Sequence, residues 1–329
     1  MIDDLAPQPD PIRRIAILGT GLIGSSLGLA LRRAGFEGAI FGWDRDAGTL
    51  KQARAFGAVD PAPADPAADD PFIYALASDL IVLAGPVYAI ADWLEQLSPV
   101  LSGSQLVTDV GSVKSFLMDR ARASYNGAGQ PSYLPGHPMA GKEQGGCLHA
   151  EGTLFQGAAW FFTPEASPEG NAPQSDRGKG ADHSTVAGAH LLVAHWREWV
   201  RRIGAHPVDL SAERHDLLCA WISHLPQMAA TALSAVLERS FKETFAPELK
   251  LHGSLQALGG RALREMTRLG ASPYSMWRDI AHVNAPAIAT ALLAFEQELT
   301  HIRENLKTPE LREVFEQANA FRPATPVKP

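Results

Sequence analysis

The stretch that decides the fold is 14-RIAILGTGLIGSSLGLALRRAG-35. Its start, 13-RRIAILG-19, reads as a short β-strand, and Leu22 to Ala34 carries a helical pattern. Between them Gly19, Gly21 and Gly24 stand at GxGxxG spacing. An arginine pair followed by an apolar segment is also the pattern of a secretory leader. Against that, the preceding MIDDLAPQPDP is acidic, glycines interrupt the apolar part, and no small-x-small cleavage site follows. The stretch is therefore read as a strand that turns into a helix through a glycine-rich loop.

The alternation continues outward. GAIFGWD, DLIVLAGP and QLVTDVGS read as strands, and DAGTLKQARAFG and VYAIADWLEQLSPVL as helices. Later strands are expected near Ser132–Pro135 and Ala159–Thr163. Such a pattern builds an α/β Rossmann-type, doubly wound domain, with helices on both faces of a parallel sheet and ligands at the carboxyl ends of its strands. The second strand ends at Asp44, 20 residues beyond Gly24, where an acid would bind the 2′-hydroxyl of an adenosine ribose. In that setting Gly19 allows the tight turn, Gly21 the approach of a pyrophosphate, and Gly24 close helix packing. Backbone N–H groups at the helix start, around Leu22 and Ile23, would hold the phosphate. The expected cofactor is NAD rather than NADP, because a 2′-phosphate would meet the Asp44 carboxylate, although Arg45 could accommodate it. Gly85-Pro86, at the end of the third strand, either lines the same cleft or is an ordinary turn.

The chain has 329 residues, 46% hydrophobic and 20% charged, enough for one large or two medium domains. Its net charge of -7 argues against bulk attraction to nucleic acid or to an anionic membrane. No window reaches the apolar length of a membrane helix. Cys147 and Cys219 are far apart and form no CxxC, which suits the reducing cytoplasm and argues against a disulfide framework or a metal site of the zinc type. Residues 165–184 are rich in Gly, Pro and Ser and read as a mobile surface insertion. A helix near 185–203 and a strand at Ala205–Val208 would complete a first domain, 1–209. From Ser211, a suitable N-cap, the pattern turns helical, giving an all-α second domain at 210–329. Pro226 lies inside the first long helical run and predicts a kink, because its ring clashes with the carbonyl of Ile222. The wide apolar arc of that helix suits a bundle or a subunit interface.

Four residues are candidates for chemistry. Ser112, in 109-DVGSVK-114, is either an N-cap for a helix beginning at Val113 or a hydroxyl presented at the sheet edge. His137, in 134-LPGHPMAGKEQGG-146, is held extended by the proline after it. It is either a surface histidine or a fixed imidazole on the cleft edge. No other histidine or cysteine stands beside it at metal-ligand spacing. His224 is a polar residue of the exposed helix side or a pocket residue beside the kink. His215, nine residues earlier, is on the opposed side of a regular helix, so the two cannot chelate one ion. Trp277 is core of the helical domain or part of a pocket.

GxGxxG, DVGSVK, GHPMAGKEQGG, 223-SHLPQ-227 and 265-EMTRLGASPYSMWRDI-280 occur in one order, and together they resemble the prephenate/arogenate dehydrogenase family of tyrosine biosynthesis from about residue 12 to about residue 300. The resemblance implies an NAD(P)-binding Rossmann domain followed by a helical domain that forms a homodimer. It implies that His137 takes the proton from the ring hydroxyl of the substrate, and that Ser112 bonds both His137 and that hydroxyl. It places His224 at the substrate pocket, Arg268 on a substrate carboxylate, and Glu143 and Trp277 at positions that line or gate the pocket. Where the family typically reads GGG, this chain has Gly259-Gly260-Arg261, which makes Arg261 and Arg264 further candidates for anion contacts. The chemistry would need a base, cations for two carboxylates and an oriented nicotinamide, and no metal. A histidine of ordinary pKa, ~6.5, is matched to that base role. Two other readings compete. One is another Rossmann-plus-helical oxidoreductase, such as a β-hydroxyacid dehydrogenase or a pyrroline-carboxylate reductase. The other is a dinucleotide-sensing regulator without turnover. Prephenate and arogenate differ by keto versus amino, and no residue separates them.

Overall fold

The computed structural model describes residues 10–164, 183–246 and 259–321. All but the last two residues of the segment read as a mobile insertion lie outside these ranges. Five strands, β1 (Arg14–Leu18), β2 (Ala39–Trp43), β3 (Leu80–Leu83), β4 (Leu106–Asp109) and β5 (Ser132–Leu134), pair in parallel in the order β2-β1-β3-β4-β5. Between them run α1 (Leu22–Arg33), α2 (Ala47–Ala55), α3 (Pro71–Ala77), α4 (Val87–Leu97) and α5 (Ser115–Ala121). The chain winds outward from β1 in both directions, so the crevice at the carboxyl ends of β1 and β3 is the switch point where ligands bind in such sheets.

The strands are apolar on both faces because both are covered. Ile15 and Ile17 of β1 pack in one cluster with Leu27 and Leu31 of α1 and with Trp196, whereas Ala16 and Leu18 pack in a second with Ile90 and Leu94 of α4 and Leu117 of α5. Trp196 belongs to α6 (His183–Arg202). A second, three-stranded sheet holds β6 (Gly136–Pro138), β7 (Ala159–Phe162) and β8 (His206–Asp209), with β6 antiparallel and β8 parallel to β7.

The remainder is helical: α7 (Ala212–Cys219), α8 (Leu225–Val236), α9 (Lys242–Thr244), α10 (Gly260–Thr267), α11 (Tyr274–Val283), α12 (Ala285–Glu304) and α13 (Glu310–Phe321). Ser211 caps α7, its hydroxyl accepting from the Arg214 N–H at 3.3 Å. The irregularity expected at Pro226 takes the form of a π-helical turn, Ala220–His224, directly before α8. The wider turn keeps the proline ring off the preceding carbonyls while the helical path continues. Ile280 of α11 joins the α4–α5 cluster, tying the helical half to the sheet. Among the described residues no helix is long and apolar enough to cross a membrane.

Candidate active site

At the switch point the three glycines of the loop do different jobs. Gly19 has φ +109°, and a Cβ there would lie 2.3 Å from the Ala84 carbonyl oxygen. A Cβ on Gly24 would lie 1.9 Å from the Gly19 carbonyl oxygen. Packing alone therefore demands both. A Cβ on Gly21 would meet nothing within 4 Å. Gly21 is also the N-cap of α1, and no side chain caps that helix. The open space before uncapped N–H groups fits a pyrophosphate, with Leu22 and Ile23 as the first helical residues. Asp44 accepts from the Thr20 N–H at 2.7 Å and the Asp46 N–H at 3.0 Å, so it also ties the glycine loop to the end of β2. Arg45 beside it is exposed. The Gly85 nitrogen lies 3.3 Å from the Cβ position of Gly19, and Pro86 opens α4, so this turn sits against the glycine loop.

Register carries the same edge across to the histidine. Leu18 pairs with Leu83, and Leu83 with Asp109. Asp109 is fully buried and organises the end of β4. It takes an ion pair from Lys114, a bond from the Tyr133 hydroxyl at 2.7 Å and one from the Gly111 N–H at 2.7 Å. The Lys114 ammonium also donates to the Gly136 carbonyl at 2.6 Å, which fixes the start of β6. A Cβ on Gly136 would lie 2.8 Å from both the Asp109 carbonyl oxygen and the Trp160 indole nitrogen, so only glycine fits before His137.

His137 is a strand residue rather than a loop residue: it sits in β6 opposite Phe161 and is buried. Its Nδ1 is 2.9 Å from His215 Nε2, and His215 Nδ1 is 2.9 Å from Asp216 Oδ1. Burial pushes the Asp216 carboxyl up. Hydrogen bonds from His215, from Ser115 and from the Lys114 N–H outweigh that and hold it below the usual range. An ionised Asp216 requires the proton of His215 on Nδ1, so His215 Nε2 accepts from His137 Nδ1–H. The lone pair of His137 is then on Nε2, which makes no hydrogen bond among the described residues. Burial lowers the His137 pKa well below its ordinary value, and the neighbouring His215, Lys114 and His224 lower it further. Burial thus favours the neutral imidazole that a proton acceptor needs.

Ser112 is not the helix cap. α5 begins at Ser115, two residues later than expected, and Asp216 caps it, accepting from the Lys114 and Ser115 N–H groups at 2.7 and 2.9 Å. Ser112 is half-buried, and His137 Nδ1 is engaged by His215, so a Ser112 contact with the imidazole would have to be made at Nε2.

His224 is fully buried rather than on the exposed side of its helix, since the π turn rotates it inward. Its ring meets Trp277 edge-on, with centroids 5.7 Å apart. The Asn284 amide nitrogen donates to the Asp216 carbonyl at 2.9 Å and lies 3.3 Å from His224 Nδ1. His224 Nδ1 is therefore an acceptor, and Nε2 carries the proton. Burial brings the His224 pKa down to about 4, so the ring is neutral. His224 Nε2 and the Trp277 indole nitrogen are both buried without a hydrogen-bond partner among the described residues, two donors that a polar ligand would satisfy.

Arg268 lies in a 3₁₀ turn after α10, with its side chain 61% exposed and ion-paired to Glu143. Lys142 and Glu143 do not pair with each other: Lys142 bonds Glu151 at 2.5 Å. Arg261 is exposed and pairs with Glu265 at 2.6 Å.

Sequence reasoning missed Lys114, Asp109, His215, Asp216, Asn284 and Cys219. It also set a zinc-type site aside because no ligand stands near His137 in sequence. The fold places His137, His215 and Cys219 so that their ligand atoms lie within 4.8 Å of one another. The available signal was His215 and Cys219 four apart, hence on one helix face.

Two family models match: the nucleotide-binding domain of prephenate dehydrogenase over residues 27–174, and its dimerization domain over 211–318. The chain belongs to the prephenate dehydrogenase family. Among its relatives are the prephenate dehydrogenase of Bacillus subtilis, 28% identical over 95% of this chain and 76% of that one, and the cyclohexadienyl dehydrogenase of Zymomonas mobilis, 27% identical over 88% and 87%. The solved prephenate dehydrogenase of A. aeolicus, in complex with hydroxyphenyl propionate and NAD+, is similar with a TM-score of 0.71 at 27% identity, over 94% of this chain and 96% of that one. The arogenate dehydrogenase of Synechocystis has a TM-score of 0.65 at 27% identity, over 93% and 98%.

Proposed function

We propose that the chain is a decarboxylating oxidoreductase that converts prephenate and NAD to 4-hydroxyphenylpyruvate, carbon dioxide and NADH, a step of tyrosine biosynthesis. The observation that carries this reading is the chain Asp216–His215–His137. It leaves a lone pair on His137 Nε2, in a strand whose start Lys114 ties to Asp109 at the carboxyl end of β4. Bound NAD would supply the hydride acceptor, with Gly19–Gly24, Asp44, Arg45, Gly85 and Pro86 forming its site. His137 Nε2 takes the proton of the ring hydroxyl as the alcohol carbon gives up hydride. The charge that arrives on the imidazole is stabilised through His215 by Asp216. Loss of carbon dioxide then makes the ring aromatic.

Ser112 is a second contact for the substrate hydroxyl. The unpartnered donors of His224 and Trp277 supply hydrogen bonds to its side chain. Arg268 binds a carboxylate, which would displace Glu143, so the Glu143–Arg268 pair acts as a gate between the two halves. The helical half would pair with a second copy, giving a cytoplasmic homodimer. Its outward-facing Leu293, Leu299 and Phe315 support this. A second reading, arogenate as substrate with tyrosine as product, is favoured by the Synechocystis likeness. The test is NADH or NADPH absorbance with each substrate and each cofactor. Prephenate with NAD should give the highest kcat/KM, and no turnover in any combination would overturn the assignment.

A further inference from the structure

Cys219 touches both histidines of the proton chain, and the oxidation gives it nothing to do. Its Sγ is 3.4 Å from His215 Nε2 and 3.9 Å from His137 Nδ1, and the two nitrogens are 2.9 Å apart. We propose that His137, His215 and Cys219 form a binding site for one thiophilic divalent cation of the zinc type, seated on the catalytic base itself.

Three features support it. An ion with bonds of about 2.0–2.1 Å to nitrogen and about 2.3 Å to sulfur, in tetrahedral geometry, needs its ligands about 3.3–3.6 Å apart. The three observed separations straddle that range, so shifts of a few tenths of an ångström admit the ion. Asp216 already holds His215 through Nδ1, leaving Nε2 aimed at the cluster, and a carboxylate on the far nitrogen is the usual support of a metal-bound histidine. The charges also balance: the Asp216 carboxylate and a Cys219 thiolate match a divalent ion, and the nearby Lys114 is already paired with Asp109. All three ligands are buried, where soft thiolate and imidazole donors select zinc-like ions over calcium or magnesium.

Binding would displace the thiol proton of Cys219 and move the His137 proton from Nδ1 to Nε2. One proton leaves per ion bound. The nitrogen that takes the substrate proton is then occupied, so the ion inhibits. Inhibition rests on His137 being the base; binding does not, and it is measured without substrate.

The test is titration of the full chain, chelator-treated and reduced, with cadmium, followed by the ultraviolet sulfur-to-cadmium charge-transfer band. The band should saturate at one ion per chain, persist in Cys147→Ser and disappear in Cys219→Ser. The zinc-loaded wild type, by X-ray absorption, should show one sulfur and two imidazole ligands, which decides the matter even should Cys219→Ser fail to fold. Absence of the band, a band lost with Cys147 instead, or a zinc shell without sulfur would overturn the proposal and leave the oxidoreductase reading untouched.

Discussion

In β1 and β3, Ile15, Ile17, Ile81 and Leu83 are sealed between helices, whereas along α12 and α13 Leu293, Leu299 and Phe315 are more than half exposed. The sheet half closes its own core on both faces. The helical half contributes Ile280 to that core and leaves much of its remaining apolar surface outward. An apolar patch of this kind is costly in water unless covered. The first half carries a core closed on both sheet faces, and the second carries the apolar surface on which the proposed dimer would rest. The candidate site lies where they meet: His137 comes from one, His215 and Asp216 from the other.

The largest effect expected of this contrast is in the sheet. Leu83→Ala should cost about 2–5 kcal/mol in urea unfolding, the range for a buried leucine, while Leu299→Glu should leave the fold intact and shift sedimentation from dimer to monomer. Unfolding by Leu299→Glu would break the comparison. At the seam, burial lowers the pKa values of His137, His215 and His224, the last to about 4. The unfolded chain then takes up protons that the folded chain refuses. The stabilisation is complete above pH ~6.5, the unfolded value, and is lost as pH falls toward the folded ones. The urea midpoint should drop between pH ~7.5 and ~5, and a flat or rising midpoint would contradict the burial. Arg268→Ala should raise KM for prephenate by a factor matching about 1.5–3 kcal/mol, the worth of a charge-assisted bond, with kcat less affected. An unchanged KM would assign the carboxylate to another cation. Smallest in stability but clear in function, Gly21→Ala should leave the melting temperature within a degree or so, since a Cβ there meets no protein atom within 4 Å, and weaken NAD about tenfold or more.

The same contrast explains what could be read from sequence. The sheet half announces itself locally: GxGxxG, an acid at Asp44 and short β-branched runs each need only their neighbours to be recognised. β6 escaped because three residues, GHP, carry no period. The proton chain escaped for a different reason. Its hydrogen bond from His137 to His215 spans 78 residues, and the capping of α5 by Asp216 about a hundred, so no window contains both partners. Ser112 looked like a cap because it precedes a helix, yet the cap comes from across the seam. For His224 the sequence left an exposed helix side and a pocket beside the kink both open, and burial in the π turn before Pro226 decides for the inward position.

The central claim is that His137 Nε2, set by residues of the helical half, removes the substrate proton. Single-turnover NADH formation with prephenate, compared between wild type and His137→Asn at matched NAD saturation, tests it most directly. The variant should bind NAD as tightly as wild type and react ~10²–10⁴-fold more slowly, the worth of a positioned general base. An unchanged rate with NAD bound would contradict the account.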